Sequence, residues 1–152
     1  MGELFDIAYK YFTDDEWYFV QLDSRPVLQM SYQGSNGKWT CYADANDEKH
    51  IFCFYSVCPI NIPEEFRQSA AEYIARANYG LRIGNFELDF NDGEVRFKTS
   101  IDVENDRLVA PLIGNLVAAN LWTMDRYLPG IFSIVYGSVS PQDAILKVEG
   151  EK

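Results

Sequence analysis

The segment over residues 86–99 constrains the fold more than any other part of the sequence. It contains two runs in which apolar and charged residues alternate, separated by the turn-forming sequence Asn91-Asp92-Gly93. One set of positions carries Phe86, Leu88, Phe90, Val95, Phe97 and Thr99, and the other carries Glu87, Asp89, Arg96 and Lys98. Because successive side chains point to opposite faces of a strand, this pattern predicts an antiparallel hairpin with one buried and one charged face. Opposite charges on the charged face can pair across the two strands.

Four more segments with strand character precede this hairpin. Residues 17–22, 27–33, 38–44 and 50–57 are rich in aromatic and β-branched residues and are separated by turn-forming sequences. Short connections between consecutive strands favour antiparallel pairing. The sequence therefore predicts a mostly antiparallel sheet.

Helical patterns flank the strands. Residues 3–14 and 106–127 carry apolar residues at helical spacing, and the second of these segments is long enough to cover the sheet. Another helix is expected to begin at Pro63, where proline is favoured in the first turn, and to end at Asn78-Tyr79-Gly80. These elements predict an α+β fold, in which a mostly antiparallel sheet has helices packed on one face.

The C-terminal part is expected to be less regular. Pro129 should stop the long helix, because proline lacks the N–H group that a helix interior requires. Residues 131–136 should form one more short helix, and residues 141–152 a charged C-terminal tail. No repeat, low-complexity segment or linker divides the sequence, so residues 1–152 are expected to form a single domain.

The balance of charge narrows the range of partners. With 23 acidic and 13 basic residues, the chain has a formal net charge of −10. The basic residues are scattered, whereas nucleic acids and anionic membranes attract clustered positive charge, so neither is expected as a partner. No apolar stretch approaches the roughly 20 residues that span a bilayer. Two of the three cysteines lie in apolar strand-like runs and suit a reducing compartment, so a cytoplasmic location is expected.

No group of residues in the sequence points to catalysis. The single histidine, His50, lies beside a charged turn and is expected to be a surface residue. His50, Cys53 and Cys58 are close in sequence, but residues 50 and 53 should point to opposite faces of a strand, and a fourth zinc ligand is not evident. Sequence motifs for phosphate binding and for a nucleophilic serine are absent. We therefore expect no enzyme activity, no metal and no cofactor.

The strand over residues 50–57 is apolar on both faces, unlike the hairpin strands. If helices cover only one side of the sheet, some aromatic residues of this strand and its neighbour must face outward. The candidates are Trp39, Tyr42, Phe52, Phe54 and Tyr55. One interpretation is that a loop, the first helix or a second subunit covers them. The other is that they form an exposed aromatic patch that binds a partner protein.

Two stretches of the sequence resemble the YbjN family, which is catalogued as bacterial sensory transduction regulators. The first is Asn78-Tyr79-Gly80-Leu81-Arg82-Ile83-Gly84-Asn85-Phe86-Glu87-Leu88-Asp89, followed by Asp92-Gly93-Glu94-Val95-Arg96-Phe97. The second is Tyr127-Leu128-Pro129-Gly130-Ile131, with Tyr136-Gly137 and Ser140-Pro141. The resemblance covers roughly residues 60–141, and the N-terminal third only by the order of its elements. It implies a fold like that of the type III secretion chaperones and no catalytic residues.

These observations predict a noncatalytic cytoplasmic protein-interaction module, regulatory or chaperone-like, with a protein partner of unknown identity. A homodimer is also predicted, because two-fold association is the commonest way to cover such a face. The alternative is a small-ligand sensor, or an unrecognised enzyme, with a pocket between the sheet and the helices.

Overall fold

A six-stranded sheet and four α-helices make up the computed structural model of the protein, which describes residues 2–150. The helices are α1 (Glu3–Asp14), α2 (Arg67–Asn78), α3 (Ala110–Gly137) and α4 (Pro141–Glu149). The strands are β1 (Phe19–Gln21), β2 (Val27–Gln33), β3 (Lys38–Asn46), β4 (Ile51–Val57), β5 (Asn85–Leu88) and β6 (Val95–Asp102). A short 3-10 helix, Glu64–Phe66, leads into α2.

The sheet is antiparallel throughout, with the strand order β1-β2-β3-β4-β6-β5. The predicted hairpin forms β5 and β6, in which Phe86 lies opposite Phe97 and Glu87 lies opposite Arg96. The charges on its outer face pair as predicted, with Nε of Arg96 at 2.7 Å from Oε1 of Glu87. The four earlier strand segments are β1 to β4, although β1 is shorter than predicted and β3 longer.

The helices lie on one face of the sheet. Phe12 of α1 stacks on Phe54 of β4, with the ring centroids 5.9 Å apart. Asn120 of α3 donates a hydrogen bond from Nδ2 to the backbone oxygen of Phe54 at 2.8 Å. The hydroxyl group of Tyr73 in α2 donates to the backbone oxygen of Tyr127 in α3 at 2.8 Å, and α4 packs on α2 and α3. The predicted α+β class, with helices on one face of an antiparallel sheet, is confirmed.

The prediction that Pro129 ends the long helix is wrong. α3 continues through Pro129 to Gly137 and includes the segment predicted as a separate short helix. A proline at position 129 removes the hydrogen bond that its N–H would donate to the backbone oxygen of Asp125. Nδ2 of Asn36, in the turn between β2 and β3, donates to that oxygen instead, at 3.0 Å. The lost helical hydrogen bond is thus replaced by one from a side chain in the turn between β2 and β3.

The segment predicted as a charged tail contains a helix. Residues 141–149 form α4, and residues 151–152 lie outside the described part of the chain. Oγ of Ser140 accepts a hydrogen bond from the N–H group of Asp143, and Pro141 occupies the first turn, so the helix has a regular N-terminal cap. Ala144 and Ile145 of α4 are buried. None of the helices within residues 2–150 combines the length and the apolar character needed to cross a bilayer.

Candidate protein-binding surface

The face of the sheet opposite the helices is uncovered in residues 2–150. Strict alternation in β4 places Phe52, Phe54 and Ser56 toward the helices, where all three are buried. The intervening residues point to the other side and are partly exposed. We call this side the open face, and the register assigns to it Val20, Val27, Gln29, Ser31, Gln33, Lys38, Thr40, Tyr42, Asp44, Asn46, Ile51, Cys53, Tyr55, Val57, Asn85, Glu87, Arg96, Lys98, Ser100 and Asp102.

The expectation that aromatic residues of β3 and β4 form an exposed patch is wrong for Trp39, Phe52 and Phe54. Their side chains are 3%, 0% and 0% exposed, respectively, because all three point to the face that the helices cover. The first helix is part of this cover, since Phe12 stacks on Phe54. These three residues therefore belong to the core and not to the open face.

Tyr42 and Tyr55 do lie on the open face. They are directly opposite each other on β3 and β4, and each is partly exposed. The Arg96 guanidinium lies over the Tyr55 ring, 4.5 Å from its centroid. Burial raises the pKa of Tyr55 to about 12, so its hydroxyl group is neutral and can donate a hydrogen bond at physiological pH. The pair forms the aromatic centre of the open face.

A charged strip borders the aromatic centre on the side of β5 and β6. Glu87 accepts hydrogen bonds from Nε of Arg96 at 2.7 Å and from Nζ of Lys98 at 3.2 Å. Burial acts to raise the pKa of Glu87, but these two hydrogen bonds outweigh it and lower the pKa below its ordinary value. Glu87 is therefore ionised at neutral pH, and it holds both basic side chains in place.

Aliphatic residues extend the apolar area around the two tyrosines, although they were not among the residues predicted from the sequence to form this surface. Val57 lies opposite Thr40, two residue pairs along from the tyrosines, and Ile51 lies at the other end of β4. Their position follows from the alternation in β4 once the outward direction of Tyr55 is known. The sequence alone does not show which of the two apolar faces of β4 the helices cover.

The three free cysteines occupy different environments. Cys41 and Cys58 are buried, and burial raises the pKa of their thiols to about 12 and about 11, respectively. Cys53 lies on the open face and is only half-buried, although burial raises its pKa as well. The reaction rate of the Cys53 thiol therefore measures how accessible the open face is to a reagent.

We expect a neutral maleimide to modify Cys53 in the folded protein and to leave Cys41 and Cys58 unmodified. The rate at Cys53 should be lower than that of the unfolded chain at pH 7.5, because the raised pKa reduces the thiolate fraction, and it should still increase with pH above the ordinary pKa of a thiol. Peptide mass spectrometry over a pH series measures these rates, with the protein in denaturant as the control. Modification of Cys41 at a rate equal to that of Cys53 would contradict the placement of the two residues.

The candidate metal ligands are not brought together. His50 is exposed in the turn before β4, as predicted for a surface residue, whereas Cys53 lies on the open face and Cys58 is buried. Within residues 2–150, no three His, Cys, Asp or Glu side chains are grouped so that they could hold a metal ion.

The architecture is α+β, with helices on one face of an antiparallel sheet, and it resembles the fold of the type III secretion chaperones. The family model YbjN, described as "Putative bacterial sensory transduction regulator", matches residues 7–133. The chain therefore belongs to the YbjN family, as its sequence resemblance indicated.

Solved structures share the fold at low sequence identity. The crystal structure of YbjN from E. coli is 12% identical, with a TM-score of 0.63 over 80% of this chain and 85% of that chain. The HopA1–SchA chaperone–effector complex contains a chain that is 16% identical, with a TM-score of 0.50 over 79% of this chain and 91% of that chain. The ExsC–ExsE complex contains one that is 14% identical, with a TM-score of 0.52 over 82% and 90%, respectively. A search of curated proteins finds no match.

Proposed function

We propose that this protein is a noncatalytic cytoplasmic module, regulatory or chaperone-like, that binds another protein through its open face. The observation that carries the proposal is the uncovered side of the sheet, with Tyr42 and Tyr55 paired at its centre. Apolar patches at a protein surface mark interaction sites in soluble proteins, and both tyrosines are partly exposed on this face. The family description of a sensory transduction regulator and the structural likeness to a chain of a chaperone–effector complex support the same function.

The open face has the anatomy of a protein interface. Tyrosine is enriched in interface centres, because its ring supplies apolar area and its hydroxyl group still finds a polar partner. Ile51 and Val57 add aliphatic area on the same strand, and the strip of Glu87, Arg96 and Lys98 supplies a polar rim. A partner would therefore bury an apolar centre and meet both signs of charge at one border.

A second copy of the chain is one candidate occupant of the open face, and the predicted homodimer would use it in this way.

The alternative of a ligand pocket between the sheet and the helices has less support. Fully buried side chains from both layers fill that space, among them Phe12, Phe54, Phe97 and Met124. Free cysteines in the core suit the reducing cytoplasm.

The double variant Tyr42→Thr/Tyr55→Thr tests the proposal. Threonine keeps a high strand propensity but removes both rings, so the fold should persist while partner binding weakens about thirtyfold or more, as expected for interface hot spots. Affinity capture from the native cell extract identifies the partner of the parent protein, and titration of that purified partner measures both affinities. Light scattering of the parent protein and the variant tests self-association through the same face.

Tyr79→Ala/Tyr136→Ala provides the matched control. These two tyrosines are 90% and 72% exposed and lie outside the sheet, so their loss should leave binding unchanged. If the open-face variant is folded and binds the same partner with the parent affinity, the open face is not the binding surface.

A further inference from the structure

A second surface feature lies on the helical side of the sheet, away from the open face. It is a groove of about 530 Å³ between α1 and α3. Gly114 and Ala118 of α3 leave space in the groove because they have no side chain or a short one, and Trp17 and Trp122 are among its aromatic lining. Asp15 and Asp125 supply carboxylates. We call this feature the acidic groove.

The aromatic rings of the acidic groove are held in position. Trp17 stacks on Tyr32, with the ring centroids 6.0 Å apart and the planes inclined by 30°. Trp122 is 63% exposed and follows Ala118 by one helical turn, so the short residues lie on one side of the indole. Arg126 follows by one more turn, with its guanidinium 5.4 Å from the centroid of the Trp122 ring. This indole therefore already accommodates a guanidinium of the same chain.

Hydrogen bonds hold the two carboxylates of the acidic groove in place, but no basic side chain in the described part of the chain pairs with them. Asp15 accepts a hydrogen bond from Nε1 of Trp17 at 3.0 Å. Asp125 accepts hydrogen bonds from the backbone N–H groups of Ser35 at 3.0 Å and Asn36 at 2.8 Å. Among residues 2–150, neither carboxylate belongs to an ion pair. The guanidinium of Arg126 packs against the ring of Trp122, which lines the groove, but not against either carboxylate.

Negative charge beside aromatic rings selects a cation. The faces of tryptophan and tyrosine rings attract positive charge, and the two carboxylates add long-range attraction to it. A guanidinium suits the site better than an ammonium, because it is planar, stacks on rings and forms directed hydrogen bonds with carboxylates. The net charge of −10 favours a basic ligand as a whole.

The shape of the surface favours an extended polypeptide over a small molecule. A second concavity, of about 700 Å³, follows the edge formed by β1 and β2. It shares Asp15, Trp17 and Tyr32 with the acidic groove, so the two adjoin at the Trp17–Tyr32 stack and together form one depression. The lining of the second concavity also includes Lys38 and other open-face residues, among them Val20, Gln29 and Ser31. An extended segment can lie along this depression and place a side chain in the acidic groove.

We propose that the acidic groove binds an arginine side chain of a basic, extended segment of a partner protein. This inference does not rest on the proposed function of the open face, because the acidic groove itself lies between α1 and α3, and only the adjoining concavity along β1 and β2 reaches open-face residues. The two surfaces can therefore be tested separately.

Nuclear magnetic resonance of the three tryptophan indole N–H groups tests the proposal. The probe is an acetylated, amidated glycine–serine peptide that contains two arginines. We expect saturable shifts of the Trp17 and Trp122 signals, while the signal of Trp39, which is 3% exposed, moves least. The same peptide with citrulline in place of arginine keeps the shape without the charge and should bind about fivefold more weakly or worse.

Variants locate the binding site. Trp122→Ala and Asp15→Asn should each weaken peptide binding about fivefold or more, whereas Tyr136→Ala on the same helix, and Tyr42→Thr/Tyr55→Thr on the open face, should leave it unchanged. Equal affinity for the arginine and citrulline peptides would overturn the proposal, as would parent-like affinity in folded Trp122→Ala. If free argininamide bound as tightly as the peptide, the site would serve a small cation, and the proposed polypeptide ligand would be wrong.

Discussion

Replacing Gly130 with alanine is expected to lower the free energy of unfolding by about 3 kcal/mol or more. Alanine ordinarily stabilises a helix interior relative to glycine, but here an added Cβ would overlap Oη and Cζ of Tyr73 and come within 2.6 Å of its Cε1. Tyr73 cannot easily move away. It is fully buried, and its hydroxyl group donates to the backbone oxygen of Tyr127 at 2.8 Å. Urea denaturation followed by far-UV circular dichroism measures the loss.

Gly137→Ala is the matched control in the same helix. A Cβ at Gly137 would meet only Cγ2 of Val139, at 3.5 Å, so this change should shift stability by no more than about 1 kcal/mol. The double variant Gly130→Ala/Tyr73→Phe removes the hydroxyl oxygen and should recover part of the loss. If Gly130→Ala is as stable as Gly137→Ala, α2 and α3 are not packed as closely as the structure indicates.

The second large effect is expected from Asn120→Asp, which should destabilise the protein by about 3 kcal/mol or more at pH 7. Asn120 is fully buried, and its Nδ2 donates to the backbone oxygens of Phe54 at 2.8 Å and Phe97 at 3.1 Å. An ionised aspartate has no hydrogen to donate and would place a negative charge against these oxygens. The loss should exceed that of an ordinary deleted hydrogen bond.

The pH dependence of the Asn120→Asp variant has a definite sign. Burial favours the neutral acid, so the pKa of the new carboxyl should be higher in the folded protein than in the unfolded chain. The folded variant then binds more protons, and its deficit relative to the parent should be smallest below pH about 4 and increase as the pH rises. Parallel denaturation curves of parent and variant from pH 3.5 to 8 measure this difference.

Asn120→Leu separates charge from shape. Within residues 2–150, Oδ1 of Asn120 has no hydrogen-bond partner, so a leucine also removes one unsatisfied polar atom. We expect the leucine variant to be more stable than the aspartate variant at pH 7, because removing a polar group costs less than burying a charge. Equal losses in the two variants, with no dependence on pH, would show that packing alone decides the effect.

The sequence was sufficient to predict elements whose pattern lies in neighbouring residues. α1 has the predicted bounds, since its apolar spacing is regular and acidic residues occupy its first turn. The hairpin of β5 and β6 followed from strict alternation around Asn91-Asp92-Gly93. Both elements depend on residues that are neighbours in the chain, and such patterns survive in most tertiary contexts.

The sequence was insufficient to predict features that depend on contacts between residues distant in the chain. The continuation of α3 past Pro129 depends on a hydrogen bond from Asn36, which no local pattern reveals. The exposed and buried sides of β4 could not be distinguished, because Phe54 and Tyr55 are both large and aromatic and only the position of the helices separates them. For the candidate site, this ambiguity left two correct members of the open face, Tyr42 and Tyr55, mixed with three core residues.

The replacement of a helical hydrogen bond by Asn36 has a consequence for how this sequence can diverge. A proline at position 129 leaves the backbone oxygen of Asp125 without its helical donor, and the turn between β2 and β3 supplies a donor for that oxygen. Asn36 can be lost at little cost once Pro129 has been replaced, whereas its loss beforehand leaves that oxygen without its protein donor. The order of substitutions therefore matters, and lineages that retain the proline are expected to retain the turn as well.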